Sequence, residues 1–237
     1  MVRFRGVHKS FGRADVLRGI DLDLTSGGCM GLAGVNGAGK TTLIKCLLDF
    51  CELDWGAIDV QGVEHHRPQA RAGLAFLPER FTPPYFLTGH AFVAMMLALY
   101  GRPYDEGRVG AMLAALDLDE TALEKPVRDY SKGMTQKLGL ATCFLSQRDL
   151  YVLDEPMSGL DPKARARAKA LLLKLKSEGR TLFFTSHSLA DVEEVCDRIT
   201  VLHEGKLAYT GEPRGLCERH GEPSLERAFL KCIEGHA

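Results

Sequence analysis

Residues 34–42 read GVNGAGKTT, set between the apolar run CMGLAGV (29–35) and the apolar-patterned run LIKCLLDF (43–50). Gly34, Val35, Asn36, Gly37, Ala38, Gly39, Lys40 and Thr41 satisfy G-x-x-x-x-G-K-[ST] in full, a pattern that cradles phosphate. Each residue type has a physical reason. The glycines let backbone N–H groups turn inward and approach phosphate oxygens without a side chain in the way. A helix beginning near Gly39 points its positive end at the same anion. Lys40 is placed to reach the β- and γ-phosphates, and the Thr41 hydroxyl to sit on Mg²⁺. Thr42 continues the loop into the helix. Strand, loop and helix follow one another as the motif requires, so the loop is read as a holder of a nucleoside triphosphate.

Working outward, short apolar or alternating runs recur at 2–7, 16–24, 30–35, 57–60, 73–77, 150–153, 181–185 and 198–202. Helical patterns at 162–177 and 189–196 separate the later ones. Continuous apolar strands alternating with helices argue for a largely parallel sheet covered on both faces. The N-terminal runs follow one another without helices, which predicts an antiparallel portion. From 81 to 147 the pattern turns helical, at 89–100, 105–116 and 131–145, with Gly and Pro between the candidates. The expectation is an α/β core interrupted by a helical lobe.

Of the 237 residues, 45% are hydrophobic and 26% charged, with a net charge of −1. That balance predicts no nucleic-acid partner and no anionic-membrane binding. Lys163, Arg165, Arg167 and Lys169 alternate around a helix and are read as a solvated surface. The start, MVRFRGVHKSFG, has no apolar signal core. The longest apolar run, AFVAMMLALY at 91–100, is about half of what a membrane span needs; most of it is expected to be lobe core. The seven cysteines are scattered without a CxxC pair, which predicts small apolar residues in a reducing compartment and neither disulfides nor a zinc site. His65 and His66 lie in a polar segment and are read as a surface loop.

Two further motifs bear on chemistry. In LYVLDEP (150–156) a buried strand ends in two carboxylates: Asp154 is placed to support Mg²⁺, and Glu155, aimed differently, to polarise an attacking water. In YSKGMTQKLGLA (130–141), Ser131 can cap a helix whose apolar face is Met134, Leu138, Ala141 and Leu145. Ser131 and Gly133 leave that helix N-terminus open, which suits a second anion.

GVNGAGKTT, YSKGMTQKLGLA, LYVLDEPMSGLDP and TSH stand in the order and spacing of the ATP-binding subunit of ABC (ATP-binding cassette) transporters, and the chain resembles that family over nearly its whole length. The resemblance implies one ABC ATPase domain with a RecA-like P-loop NTPase fold. Residues 1–79 and 149–210 would form the α/β core, 80–148 the inserted helical subdomain and 211–237 a short helical ending. It implies a head-to-tail pair, with a second copy or a sister subunit, enclosing two ATP molecules. Each ATP would lie between the phosphate loop of one subunit and Ser131, Lys132, Gly133 and Met134 of the other. Asp161, in SGLD, falls at the segment that crosses the interface, His187 at the switch histidine on the γ-phosphate, and Phe11 at the aromatic on the adenine. The common LSGGQ reads here Tyr130-Ser131-Lys132-Gly133-Met134, and the switch glutamine near Mg²⁺ is replaced by Glu79. LPE (77–79) together with YSKGM (130–134) resembles single-cassette subunits that serve a separate, often exporting, permease, and SLERAFLKC (224–232) resembles their short helical ending. ATP hydrolysis with Mg²⁺ on the cytoplasmic face of the cell membrane is thereby implied. Two other classes answer to the phosphate loop: a soluble cassette ATPase of translation or DNA repair, and a P-loop kinase or GTPase. The first commonly carries two cassettes or a long coiled coil in one chain, and the second has no use for the Ser131 segment.

Overall fold

The computed structural model describes residues 1–235; the last two positions of the 211–237 ending lie outside it. The chain opens with an antiparallel hairpin, β1 (Val2–Phe11) and β2 (Ala14–Leu24), in register from Val2 opposite Leu24 to Phe11 opposite Ala14. β4 (Trp55–Val60) and β5 (Val63–Glu64) complete a four-stranded sheet of order β2-β1-β4-β5. The alternation of apolar and polar residues along β1 and β2 gives this sheet one wet face and one dry one.

The second sheet is built on β3 (Cys29–Ala33), β6 (Leu74–Leu77), β7 (Leu150–Leu153), β8 (Thr181–Thr185) and β9 (Arg198–His203), all parallel, with β10 (Lys206–Gly211) antiparallel at its edge. Its order is β10-β9-β3-β8-β7-β6. β10 was not among the runs expected from sequence: its alternating LAYTG reads as too polar for a covered strand, and it needs to bury only one face because it closes the edge. The runs of β3, β7 and β8 are buried at every position, and successive side chains alternate between two cores. Met30, Leu32, Val152 and Phe183 face the antiparallel sheet and α1 (Lys40–Leu47); Phe4 of β1 meets Phe183 with ring centroids 6.5 Å apart. Tyr151, Leu153, Leu182 and Phe184 face the other way.

That second face receives α6 (Pro162–Ser177), α7 (Leu189–Val195), α8 (Pro213–His220) and α9 (Leu225–Glu234). A short helix, α2 (Pro68–Arg71), precedes β6. Between β6 and β7 the chain forms α3 (Gly89–Leu99), α4 (Glu106–Ala115), two 3₁₀ turns and α5 (Lys132–Leu145). In α3 the expected apolar core is Phe92, Val93 and Leu97, and Leu99 remains exposed.

Two surface readings are corrected. His65 is buried, and its Nδ1 lies 3.1 Å from the Ile58 carbonyl, because the pairing of β5 with β4 runs on to the His65 amide, which donates to the same carbonyl at 2.9 Å. The basic positions on α6 are engaged rather than merely solvated: Lys163 and Arg167 pair with Asp117, Arg165 with Asp191, and Lys169 with Glu194.

Candidate nucleotide site

Strand ends gather the chemistry. The phosphate loop follows β3, Glu79 follows β6, Asp154 and Glu155 follow β7, and His187 follows β8. All leave the carboxyl ends of parallel strands, the edge at which open α/β sheets bind ligands. One cleft there is lined by Val16, Asn36, Gly37, Gly39, Lys40, Thr41, Thr42, Glu79, Asp154, Glu155 and His187.

The loop is held tightly to its surroundings. A Cβ on Gly34 would stand 2.4 Å from the Leu202 carbonyl oxygen, so only glycine lets the loop leave β3 against β9. Gly39 takes φ +108 at the N-cap of α1, with the Val16 carbonyl 2.9 Å from where a Cβ would be. The Ala38 amide donates to the Val35 carbonyl at 3.1 Å and rounds the turn. Lys40 is buried, and its ammonium donates to the carbonyls of Gly34 (2.7 Å) and Val35 (3.2 Å). Burial holds the Lys40 pKa below the ordinary lysine value, and the charges of Glu155, Asp154 and Glu79 oppose that shift. A buried cation facing three carboxylates is matched to an anion accompanied by a metal.

Thr41 Oγ1 donates to Asp154 Oδ2 at 3.1 Å. These two hard oxygens fit Mg²⁺, which takes few protein ligands and is completed by substrate phosphates and water. Among the described residues there is no group of three or more His, Cys, Asp or Glu side chains that could hold a metal. Glu155 is buried, with φ +51, and its Oε1 has no hydrogen-bond partner. Burial raises its pKa, against the pull of His187, whose Nε2 lies 3.5 Å from Oε1. A desolvated carboxylate with a free oxygen is suited to accept a proton from water.

The remaining predicted positions stand elsewhere. Phe11, at the tip of β1, is 53% exposed, with the Lys9 ammonium 5.3 Å from its ring centroid. It does not line the cleft; Val16 of β2 does. Ser131 is the N-cap of α5, its Oγ accepting from the Met134 amide at 3.2 Å. Lys132 borders a second cleft with Glu79, Tyr130, Gln136 and Ser158. Asp161 caps α6, its Oδ1 accepting from the Ala164 amide at 2.9 Å, which lowers its pKa. Ser131, Gly133, Met134 and Asp161 thus do not share the cleft of Lys40 within one chain.

Two residues inside the quoted motifs, given no role of their own, have one in the structure. Gln136 is buried and donates to the Pro156 carbonyl at 2.8 Å, tying α5 to the turn after Glu155. Thr185, which opens the quoted TSH, touches both Asp154 and Glu155. Its only sequence signal was a hydroxyl ending an apolar strand.

Residues 17–158 match the family model for ABC transporters. An uncharacterized ABC transporter ATP-binding protein of Synechocystis sp. is 38% identical over 202 residues, 84% of this chain; the match takes in 57% of that relative's length, so the chain spans less than three-fifths of it. The lantibiotic transport ATP-binding protein of Streptococcus pyogenes is 30% identical over 97% of this chain and 96% of its own. A solved ATP-binding subunit of an ABC transporter superposes with a TM-score of 0.89 over 98% of this chain and 99% of that one, at 27% identity. With a phosphate loop, paired carboxylates and a histidine on one cleft, and the family model matched over more than half its length, the chain belongs to the ABC transporter family.

Proposed function

We propose that this chain binds and hydrolyses ATP as the ATP-binding subunit of an ABC transporter, and drives transport through a separate membrane permease. The observation that carries this reading is the convergence of Lys40, Thr41, Asp154, Glu155 and His187 on one cleft. Lys40 and the loop amides bind the triphosphate. Thr41 and Asp154 would hold Mg²⁺, which would supply charge neutralisation to the triphosphate. Glu155 orients water for in-line attack. The water oxygen bonds to the γ-phosphorus as the bridging bond to ADP breaks, and the water proton passes toward the free Glu155 Oε1. His187 lies beside that oxygen and steadies the γ-phosphate. Phe11, exposed at the tip of β1, is read as the adenine platform.

Two anion sites in one chain that do not share a cleft are halves of two composite sites. A second copy, or a sister subunit, brings its Ser131–Lys132–Gly133–Met134 segment over the ATP on Lys40, with Asp161 near the crossing. ATP binds both subunits only in the closed pair, so its binding favours closure and its hydrolysis releases it. Glu79 borders both clefts and is read as the link from nucleotide to the exposed Tyr85 and Phe86 that follow it. Those rings, in the loop leading to the helical lobe, are a surface suited to a permease. No helix among the described residues is long and apolar enough to cross a membrane, and the membrane-spanning part is assigned to that partner. The chain is placed on the cytoplasmic face of the membrane. Export as the direction accords with the lantibiotic transport relative.

Glu155→Gln should keep ATP affinity and lower turnover by roughly 10²- to 10⁴-fold. Steady-state phosphate release with nucleotide titration measures both, and a wild-type rate would remove Glu155 as the water-orienting group.

A further inference from the structure

The two carboxylates that close the cleft are set by one hydroxyl. Thr185 ends β8 beside β7, where Leu153 pairs with Phe184, and it is fully buried. Its Oγ1 donates to Asp154 Oδ1 at 2.6 Å and accepts the Glu155 amide at 2.8 Å. The other Asp154 oxygen accepts from Thr41. Asp154 is therefore held from both sides, by the phosphate-loop helix through Thr41 and by the end of β8, two residues before His187, through Thr185.

Glu155 needs that hold for a separate reason. At φ +51 it occupies the left-handed region, which costs a non-glycine residue on the order of 1–2 kcal/mol and persists only where neighbours over-determine it. The Thr185 hydroxyl fixes the residue at its amide, and Gln136 fixes the next carbonyl, that of Pro156. The side chain of Glu155 leaves a backbone aimed by these contacts, and Oε1, with His187 Nε2 3.5 Å away, has no hydrogen-bond partner.

We propose that Thr185 is a positioning residue for ATP hydrolysis, one hydroxyl orienting both the metal-side carboxylate Asp154 and the water-side carboxylate Glu155. The inference rests on the reading of Glu155 given above. Its chemistry is that of a relay: donation to Asp154 leaves the hydroxyl lone pairs for the Glu155 amide, so a single torsion of Thr185 satisfies both. Valine has the same shape and can do neither.

The test uses the full chain with ATP and Mg²⁺. Thr185→Val should lower kcat by roughly 10- to 100-fold, the scale of a misplaced catalytic group, with KM for ATP changed by no more than about twofold. The Mg²⁺ concentration needed for half-maximal rate should rise several-fold, and Thr185→Ser should restore rate and Mg²⁺ response together. In the Glu155→Gln background at saturating Mg²⁺, Thr185→Val should slow the residual rate by much less than it slows the parent, since the share of its effect that passes through Glu155 is already lost. If the valine variant does not fold, Thr185→Cys, with similar volume and a weak donor, carries the same comparison. A wild-type rate in Thr185→Val overturns the proposal. So do a parallel loss of rate and affinity without rescue by serine, and a fully additive loss in the Glu155→Gln background at saturating Mg²⁺. A slow Glu155→Gln with a normal Thr185→Val refutes this inference alone. A normal Glu155→Gln refutes the reading of the site on which it rests.

Discussion

Gly34 shows how a single backbone contact fixes a binding loop. Because a Cβ there would meet the Leu202 carbonyl at 2.4 Å, Gly34→Ala must push the loop off β9. Overpacking of this kind costs about 1–3 kcal/mol, and if it falls on the loop, ATP affinity drops roughly 10- to 100-fold. Isothermal titration of ATP measures this, and unchanged affinity would mean that β9 yields instead. His65 belongs to the same scale through its proton. Burial lowers its pKa below the ordinary histidine value, and its Nδ1 faces the Ile58 carbonyl. The unfolded chain therefore binds more protons than the folded one as pH falls below about 6.5. Stability from this site is present above that pH and is lost as pH falls through the ordinary value toward the lowered one. Thermal melts between pH 7.5 and 5.5 should show a smaller acid decrement in His65→Gln than in the parent. An equal decrement would place the acid sensitivity elsewhere.

Among the elements, α6 and α7 are joined by charge. Arg165 Nε lies 3.0 Å from each Asp191 carboxylate oxygen, and Asp191 is almost wholly buried, with Lys169 also beside it. The pair joins the helix capped by Asp161 to the helix that starts just after His187. Removing the carboxylate leaves a partly desolvated guanidinium, so Asp191→Ala should cost roughly 3 kcal/mol, the low end for a broken buried pair because Arg165 retains solvent. Urea unfolding measures it; a loss under about 0.5 kcal/mol would show a surface pair of ordinary weakness. This link was invisible in the sequence, where KARARAK reads as alternating exposed charge. What decides the matter is which helix packs opposite, and Asp191 lies 26 residues away from Arg165.

At the scale of the whole molecule, the legible part is what local physics sets. Four consecutive buried positions in LYVL, five in TLFFT and the glycines of GVNGAGKTT each have one economical fate. Together they placed the parallel sheet and the loop at its carboxyl edge. The hairpin and the run of helices after β6 followed from period alone. The edge strand β10 was not legible because its alternation is short and polar, and His65 because only the pairing of β5 with β4 brings it to the Ile58 carbonyl; the two hydrogen bonds of Thr185 were not legible because Glu155 and Asp154 lie 30 and 31 residues away. The Ser131 segment stands away from the Lys40 cleft for a different reason: its proposed partner is the nucleotide bound by another copy.

That composite site is the central claim, and sedimentation velocity of the Glu155→Gln chain with and without ATP and Mg²⁺ tests it directly. A composite site predicts a species of twice the 26.0 kDa chain mass with ATP, none without it, and none in the Glu155→Gln/Ser131→Arg double variant. A chain that binds ATP and stays monomeric, or a dimer indifferent to Ser131→Arg, would contradict it.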